Sequence, residues 1–500
     1  MDELMSKTAA HPVPLRNDTL ADLPEGILRP RYERARLTAG IVHIGVGNFH
    51  RAHQAWYLHR LMQAGKALDW AIVGAGVRPY DAAMREKLIA QDCLTTLIEL
   101  APDHTGAEVT GSMIDYLPIE EGNAPLIHVM ADPRIRVVAL TVTEGGYYID
   151  ATTGAFDTGH PDIVHDAAHP DAPRTAFGAM VAALRQRRAA GHKPFSGLCC
   201  DNLRGNGDIL RATVVGLARM SDPGLADWID REGAFPNSMV DSIVPATTAN
   251  TLEAVRAFGI DDAAPVAHEN FRQWVIEDAF CDGRPDWDEV GATFTSDVHS
   301  YEMMKIRILN AGHQILANAG ELLSVPTIAD CMAHPGIAAM FRKVQTEEIL
   351  PYVDAVPGTT PDDYLALIEG RFSNPKIHDT TRRVAFDGSS RHTGFLLPIL
   401  RDALAAGGSV DGFALVEALW ARMCAGQRED GSVIEPNDPY WARLTEAAAA
   451  AKDRPRAWLE QPGIYGGLKD APAFAEAFER WLATIWRDGT AAALAAYTAR

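Results

Sequence analysis

Five hundred residues exceed what one ordinary hydrophobic core organises, so the chain reads as two domains with ample apolar surface to bury. Sixty-six Asp and Glu against 46 Lys and Arg leave a net charge of −20, which argues against a nucleic-acid or anionic-membrane surface. The 6 cysteines show no C-x-x-C pair, the start from Met1 to Lys7 is charged rather than signal-like, and no apolar run approaches ~18 residues, so an acidic, soluble, cytoplasmic enzyme is expected.

Residues 1 to about 35 are mixed polar with Pro12, Pro14, Pro24 and Pro30, and read as a tail draped over the first domain. In Gly40-Ile-Val-His-Ile-Gly-Val-Gly-Asn-Phe-His-Arg51, Ile41 to Ile44 form a short buried strand and Gly45 and Gly47 a tight turn, with helical periodicity from Arg51. Strand, glycine turn and helix in this order suit a pyrophosphate on free N–H groups. His50 stands where the dinucleotide fingerprint has its third glycine, so the motif alone is weak. His50 and His53 lack the third ligand a metal site would need.

A second strand, Asp69 to Ala75, runs into Gly76-Val-Arg-Pro-Tyr-Asp81. An acid in this loop would accept from the adenosine ribose hydroxyls and repel a 2′-phosphate, whereas Arg78 would receive one. Ile135 to Thr143 is a strand that stops at Glu144, and Pro194 to Cys200 is another that leads into Asp201 and Asn202. Ligands bind beyond the carboxyl ends of parallel strands, which puts Glu144 and Asn202 at the binding edge, although each also reads as an ordinary turn residue. Asn206 reads as the cap of the next helix, and Cys199 and Cys200 as small buried hydrophobes.

The stretch Tyr301-Glu-Met-Met-Lys-Ile-Arg-Ile-Leu-Asn-Ala-Gly-His-Gln314 has no proline and repeats its apolar residues at helical spacing. With Lys305 at zero and ~100° per residue, Asn310 falls at ~140°, His313 at ~80° and Glu302 at ~60°. One face then carries an amine, a carboxamide, an imidazole and a carboxylate, flanked by Ala311, Gly312, Ala317 and Ala319, as a packed wall would be. A desolvated lysine can serve as a general base near neutrality, and an asparagine can donate to a developing oxyanion. Ala- and Leu-rich helical patterns continue to the C-terminus, interrupted by the basic segment Arg371 to Arg391, which reads either as a solvated cluster or as one held partly inward. The whole is an α/β chain, with a dinucleotide-binding domain over 1–300 and a mostly α-helical catalytic domain over 301–500.

Lys-x4-Asn-x2-His, Gly-x-Gly-x-Phe-x-Arg-Ala-His, Thr-x-Thr-Glu-Gly, Cys-Asp-Asn and Arg-Phe-x-Asn-Pro followed by Asp-Gly-Ser together resemble the polyol-specific long-chain dehydrogenases, the mannitol 2-dehydrogenase family that also contains the hexuronate reductases. The resemblance implies a Rossmann-type N-terminal domain, NAD as cofactor, no metal, and Lys305 as the general acid/base. It further implies that Asn202 and Asn310 bind the oxyanion and that His313 orients substrate with Asp241, Arg383 and Arg391; Glu302, on the same face as Lys305, is expected to relay the proton to solvent. Phe49, Arg51, Asp81 and Glu144 would line the cofactor with Gly45 and Gly47. Two positions depart from the family pattern: Ser242 replaces a basic residue, and Arg391 replaces the commoner lysine, whose ammonium is not equivalent to a planar guanidinium.

The implied reaction is oxidation of a secondary alcohol of a linear polyol to a ketose, D-mannitol to D-fructose as the type, with D-arabinitol and sorbitol as further candidates. A fructuronate or tagaturonate reductase is the rival within the family, and a non-catalytic dinucleotide-binding regulator the rival outside it. No macromolecular partner is expected beyond a monomer or weak homo-oligomer. A zinc-dependent alternative lacks a Cys/His cluster at suitable spacing.

Overall fold

Short runs rich in Val, Ile and Ala build the first of two units, Met1–His299, around a five-stranded parallel sheet. The computed structural model describes residues 11–150 and 153–500, and the charged stretch Met1 to Lys7 lies outside them. The strands are β1 (Ala39–Ile44), β2 (Ala71–Ala75), β3 (Met113–Tyr116), β4 (Val137–Leu140) and β5 (Ser196–Cys199), in the order β3-β2-β1-β4-β5. Chain direction across the sheet reverses between β1 and β4, so the loops leaving these two strands border the switch point where α/β folds bind ligands.

Both faces of the sheet are buried, and successive residues feed opposite cores. Val42, Ile44, Val138, Leu140 and Cys199 enter one core, while Ile41, Val137, Ala139, Leu198 and Cys200 enter the other. Cys199 and Cys200 are thus the apolar filler their neighbours indicate. β3 escapes sequence reading, because Met-Ile-Asp-Tyr is short and only its ends are buried. Helices α1 (Asn48–Ala52) and α2 (Gln54–Gln63) follow β1, α3 (Asp81–Ala90) follows β2, and α4 (Asn206–Ser221) follows β5.

Beside this sheet, β6 (Ser238–Asp241) pairs antiparallel with β7 (Gln273–Glu277), which pairs parallel with β8 (Thr293–Thr295). A further small sheet joins Thr95–Leu100 to Thr105–Thr110 and Val266–Glu269. The proline-rich tail is stitched down where Val13–Pro14 pairs with Ile260–Asp261.

The second unit, Ser300–Arg500, holds helices and no sheet strand. Helix α5 (Val298–Lys305) passes through a π-turn at Ile306–Asn310 into α6 (Ala311–Leu322). Then come α7 (Pro335–Val344), a second π-turn at Gln345–Ile349, α8 (Pro361–Phe372), α9 (Thr381–Val384) and α10 (Gly388–Arg391). A third π-turn at His392–Leu396 leads to α11 (Leu397–Ala406), followed by α12 (Asp411–Met423) and α13 (Pro472–Asp488). Every residue of α6 is buried except His313, and every residue of α12 except Asp411, so these two apolar helices form the centre that the others cover. Among the described residues, no helix is long and apolar enough to cross a membrane.

Candidate functional site

The turn after β1 is dictated by its glycines. Gly45 has φ +93°, and a Cβ there would overlap the Thr141 carbonyl oxygen at the end of β4. A Cβ at Gly47, the residue capping α1, would meet nothing within 4 Å, so the chain leaves one side of the turn open where a fingerprint glycine lets a pyrophosphate approach. These features fit a dinucleotide. The missing third glycine has a physical substitute, because the His50 ring lies flat on His43 of β1, centroids 3.4 Å apart and planes within 18°. Burial pushes His50 down to about 3 and His43 well below its ordinary value, so two neutral rings stack where the standard motif packs helix on strand.

Phe49 stacks on His53, whose Nε2 lies 2.9 Å from the Gln273 carbonyl oxygen. Arg51 is almost fully buried and donates to the Gly47 and Ala264 carbonyls and to Asn48 Oδ1. With Asn48 it lines a cavity of about 600 Å³ that also touches Met84, Lys87 and Thr247. Asp81 is the first residue of α3, and its Oδ2 accepts from the Val77 and Arg78 N–H groups at 3.1 and 3.0 Å. One carboxylate oxygen therefore closes the loop in which the charge stands. Arg78 is turned to Tyr148, 3.1 Å from its hydroxyl.

At the ends of β4 and β5, Asp201 holds the neighbouring loop: it accepts from Val142 and Thr143 N–H at 2.9 and 3.0 Å and from the Tyr147 hydroxyl at 2.6 Å. Thr143 is forced to φ 69°, a costly conformation for a β-branched residue that persists because these bonds over-determine it. Glu144 opens the short helical turn that follows, and its side chain lies outside what is described. Asn202, next to Asp201, is exposed. Asn206 does not cap α4, because Gly205 occupies that place; its amide instead ties together the Cys199, Asp201 and Ser238 carbonyls. Asp241 ends β6, buried opposite Gln273, and Ser242 donates to the Phe271 carbonyl.

In the second unit the π-turn changes the expected helical wheel. A turn closed i→i+5 takes roughly 4.4 residues, or about 80° each, which brings Asn310 to about 50° and His313 to about 350° when Lys305 is zero. The arc holding Glu302, Lys305, Asn310 and His313 narrows from ~140° to about 70°. The Ala311 N–H bonded to the Ile306 carbonyl is the i→i+5 bond that does this. Glu302 and Lys305 are buried, at 6% and 7% exposure. Among the described residues, Asn310 Oδ1 and His313 Nε2 are buried polar atoms without a hydrogen-bond partner.

The His313 ring stacks on Phe372, and its Nε2 lies 3.8 Å from Asp379 Oδ2. Burial, aided by the guanidinium groups of Arg383, Arg371 and Arg391 and opposed by Asp379, pushes His313 down to about 4. Arg383 forms a two-point pair with Asp379 at 2.6 and 2.7 Å, and Arg391 donates to the Val384 carbonyl at 2.7 Å. Asp379 and Phe372 were not singled out from sequence, although an acid four residues before Arg383 is a readable pairing signal. Among the described residues, no group of three or more His, Cys, Asp or Glu side chains is arranged to hold a metal ion.

The model of the mannitol dehydrogenase Rossmann domain matches residues 39–289, and that of the mannitol dehydrogenase C-terminal domain matches 297–486. The chain belongs to the mannitol dehydrogenase family. A mannitol 2-dehydrogenase of Cereibacter sphaeroides is 54% identical over 477 residues, covering 95% of this chain and 100% of that protein. The D-mannonate oxidoreductase of Escherichia coli is 41% identical over 452 residues, covering 89% and 93%. Among solved structures, the Pseudomonas fluorescens mannitol 2-dehydrogenase in ternary complex with NAD and D-mannitol has 39% identity and a TM-score of 0.86, covering 97% of this chain and 100% of that one. In this family frame, the glycine turn, the Cys-Asp-Asn corner and the Lys305 face are three of the parts the sequence motifs single out.

Proposed function

We propose that the protein is an NAD-dependent dehydrogenase that interconverts a linear polyol and its ketose, with D-mannitol and D-fructose as the preferred pair. Identity of 54% over nearly the whole chain to a mannitol 2-dehydrogenase is the observation that carries this reading. Gly45, Gly47, Phe49, Arg51, Asp81 and Glu144 are the residues assigned to NAD, which supplies the hydride acceptor when bound. Lys305, buried on the same face as Asn310, takes the proton of the reacting hydroxyl as a general base. Asn310 donates to the oxygen on which negative charge develops, and the family resemblance gives Asn202 the same task.

His313, neutral above about pH 4, orients a neighbouring hydroxyl without adding charge. Glu302, one turn before Lys305, passes the proton onward, and Asp241, Arg383 and Arg391 hold the rest of the substrate. The pairing of Arg383 with Asp379 favours the polyol over the hexuronate reading, because the guanidinium that would greet a carboxylate is already neutralised. Initial rates with fructose and with fructuronate, each with NADH, test this choice: fructose is expected to react faster, and a faster fructuronate rate would transfer the protein to the reductase branch. A cytoplasmic location and a monomeric or weakly associated state belong to the same proposal.

A further inference from the structure

The π-turn between Lys305 and Asn310 needs an explanation, since an i→i+5 turn is rare and costs regular hydrogen bonding. A side chain from another helix supplies part of it. Gln345 is fully buried at the start of the second π-turn, and its Nε2 donates to the Ile308 carbonyl at 2.8 Å, in the middle of the turn that separates Lys305 from Asn310. The approach is close: a Cβ on Gly312 would lie 2.9 Å from Gln345 Nε2 and 3.0 Å from the Phe341 ring. Gly312 sits between Asn310 and His313, so a glycine there is what admits the amide. Phe341 also touches Phe372, on which His313 stacks.

We infer that Gln345 is a positioning residue for the reaction, holding the Ile306–Asn310 turn open so that Asn310 and His313 share the face of Lys305. The inference rests on the proposed polyol dehydrogenase reading. Without the amide, the Ile308 carbonyl loses a buried donor, and a helix free to return to α geometry swings Asn310 by about 90°, away from the oxygen it must serve. Gln345 touches no reacting atom in this scheme. Its effect therefore belongs in turnover, while cofactor binding, which the first unit's glycine turn governs, is left alone.

The test begins with wild-type protein, NAD and D-mannitol, because an inert wild type would fail the functional reading rather than this one. Against an active wild type, Gln345→Leu is expected to lower kcat at least about tenfold while KM for NAD stays within about twofold. Amide hydrogen exchange over residues 306–312 is expected to accelerate in the same variant. Gly312→Ala should reproduce the kcat loss, and should cost less when added to Gln345→Ala than when made alone, because the two atoms that collide are then no longer both present. Wild-type kcat in a folded Gln345→Leu protein, or strict additivity of Gly312→Ala and Gln345→Ala, would overturn the inference. Loss of NAD affinity in proportion to kcat would do the same, since it would mark a general structural fault.

Discussion

His313 and Asp81 show how much a single environment decides. An imidazole in water is half-protonated near pH 6.5, yet burial among three guanidinium groups keeps His313 neutral down to about 4. Its role is thus that of an uncharged donor or acceptor, and the kcat profile between pH 5 and 8 is expected to owe nothing to its titration. Asp81 spends one oxygen on the Val77 and Arg78 N–H groups and keeps its charge in the loop. Asn in its place can make the same two bonds through its carbonyl oxygen, so Asp81→Asn should fold normally while losing the free acceptor for the ribose hydroxyls and the repulsion of a 2′-phosphate. The ratio of kcat/KM for NAD to that for NADP is expected to fall about tenfold, a change of about 1.4 kcal/mol; an unchanged ratio would remove Asp81 from cofactor selection. At this scale the sequence is readable wherever a residue's chemistry suffices, as for Lys305. The importance of Asp379 comes from lying 3.8 Å from His313, a proximity that 65 intervening, mostly helical positions conceal.

Among elements, the π-turns and the buried polar links between helices carry the organisation of the second unit. His392 opens the third π-turn, with Nδ1 2.8 Å from Glu417 Oε1 on α12 and Nε2 3.0 Å from the Asn318 amide on α6. Tyr465 donates to the other Glu417 oxygen at 2.7 Å and receives the Trp458 indole N–H at 2.6 Å. This network is fully buried, so removing its central acceptor strands two donors, on His392 and Tyr465, in an apolar interior. Glu417→Ala is expected to cost about 3–5 kcal/mol, read as a lower midpoint of chemical denaturation; a loss below about 1 kcal/mol would show that the network is dispensable. Helix positions here were legible from periodicity, since α8, α12 and α13 coincide with apolar patterns at helical spacing. The π-turns were not, because a period of 3.6 assumes every turn is closed i→i+4, and the residues Ile-Arg-Ile-Leu-Asn carry no mark of the extra residue. Tertiary partners such as Gln345, distant in sequence, select that geometry.

For the whole molecule, the neutral buried histidines set a pH dependence of stability. Folding holds His50 and His268 at about 3 and His313 at about 4, chiefly through burial, with His43 also well below its ordinary value. The unfolded chain protonates each near 6.5 and the folded chain does not, so below that pH the unfolded state binds more protons and is favoured. Stability from these groups is full above about pH 6.5 and drains away as pH falls toward 4. Melting temperature should accordingly decline between pH 6.5 and 5, before ordinary carboxylates begin to titrate; a flat curve over that interval would contradict the assignment. The Rossmann half was the more legible part at this scale, because β-branched runs ending in glycine or acidic turns announce parallel strands, while the small sheets beside it depend on pairings such as Thr95–Leu100 with Val266–Glu269 that no local pattern reveals.

All of these levels meet in one amine on a helical face shaped by an unusual turn. The most direct measurement is steady-state NADH formation from D-mannitol and NAD by wild-type protein and by Lys305→Ala. The variant is expected to lose at least ~10² in kcat while retaining its KM for NAD. A variant that turns over at the wild-type rate would show that the proton leaves by another group and that the Lys305 face is not where the chemistry occurs.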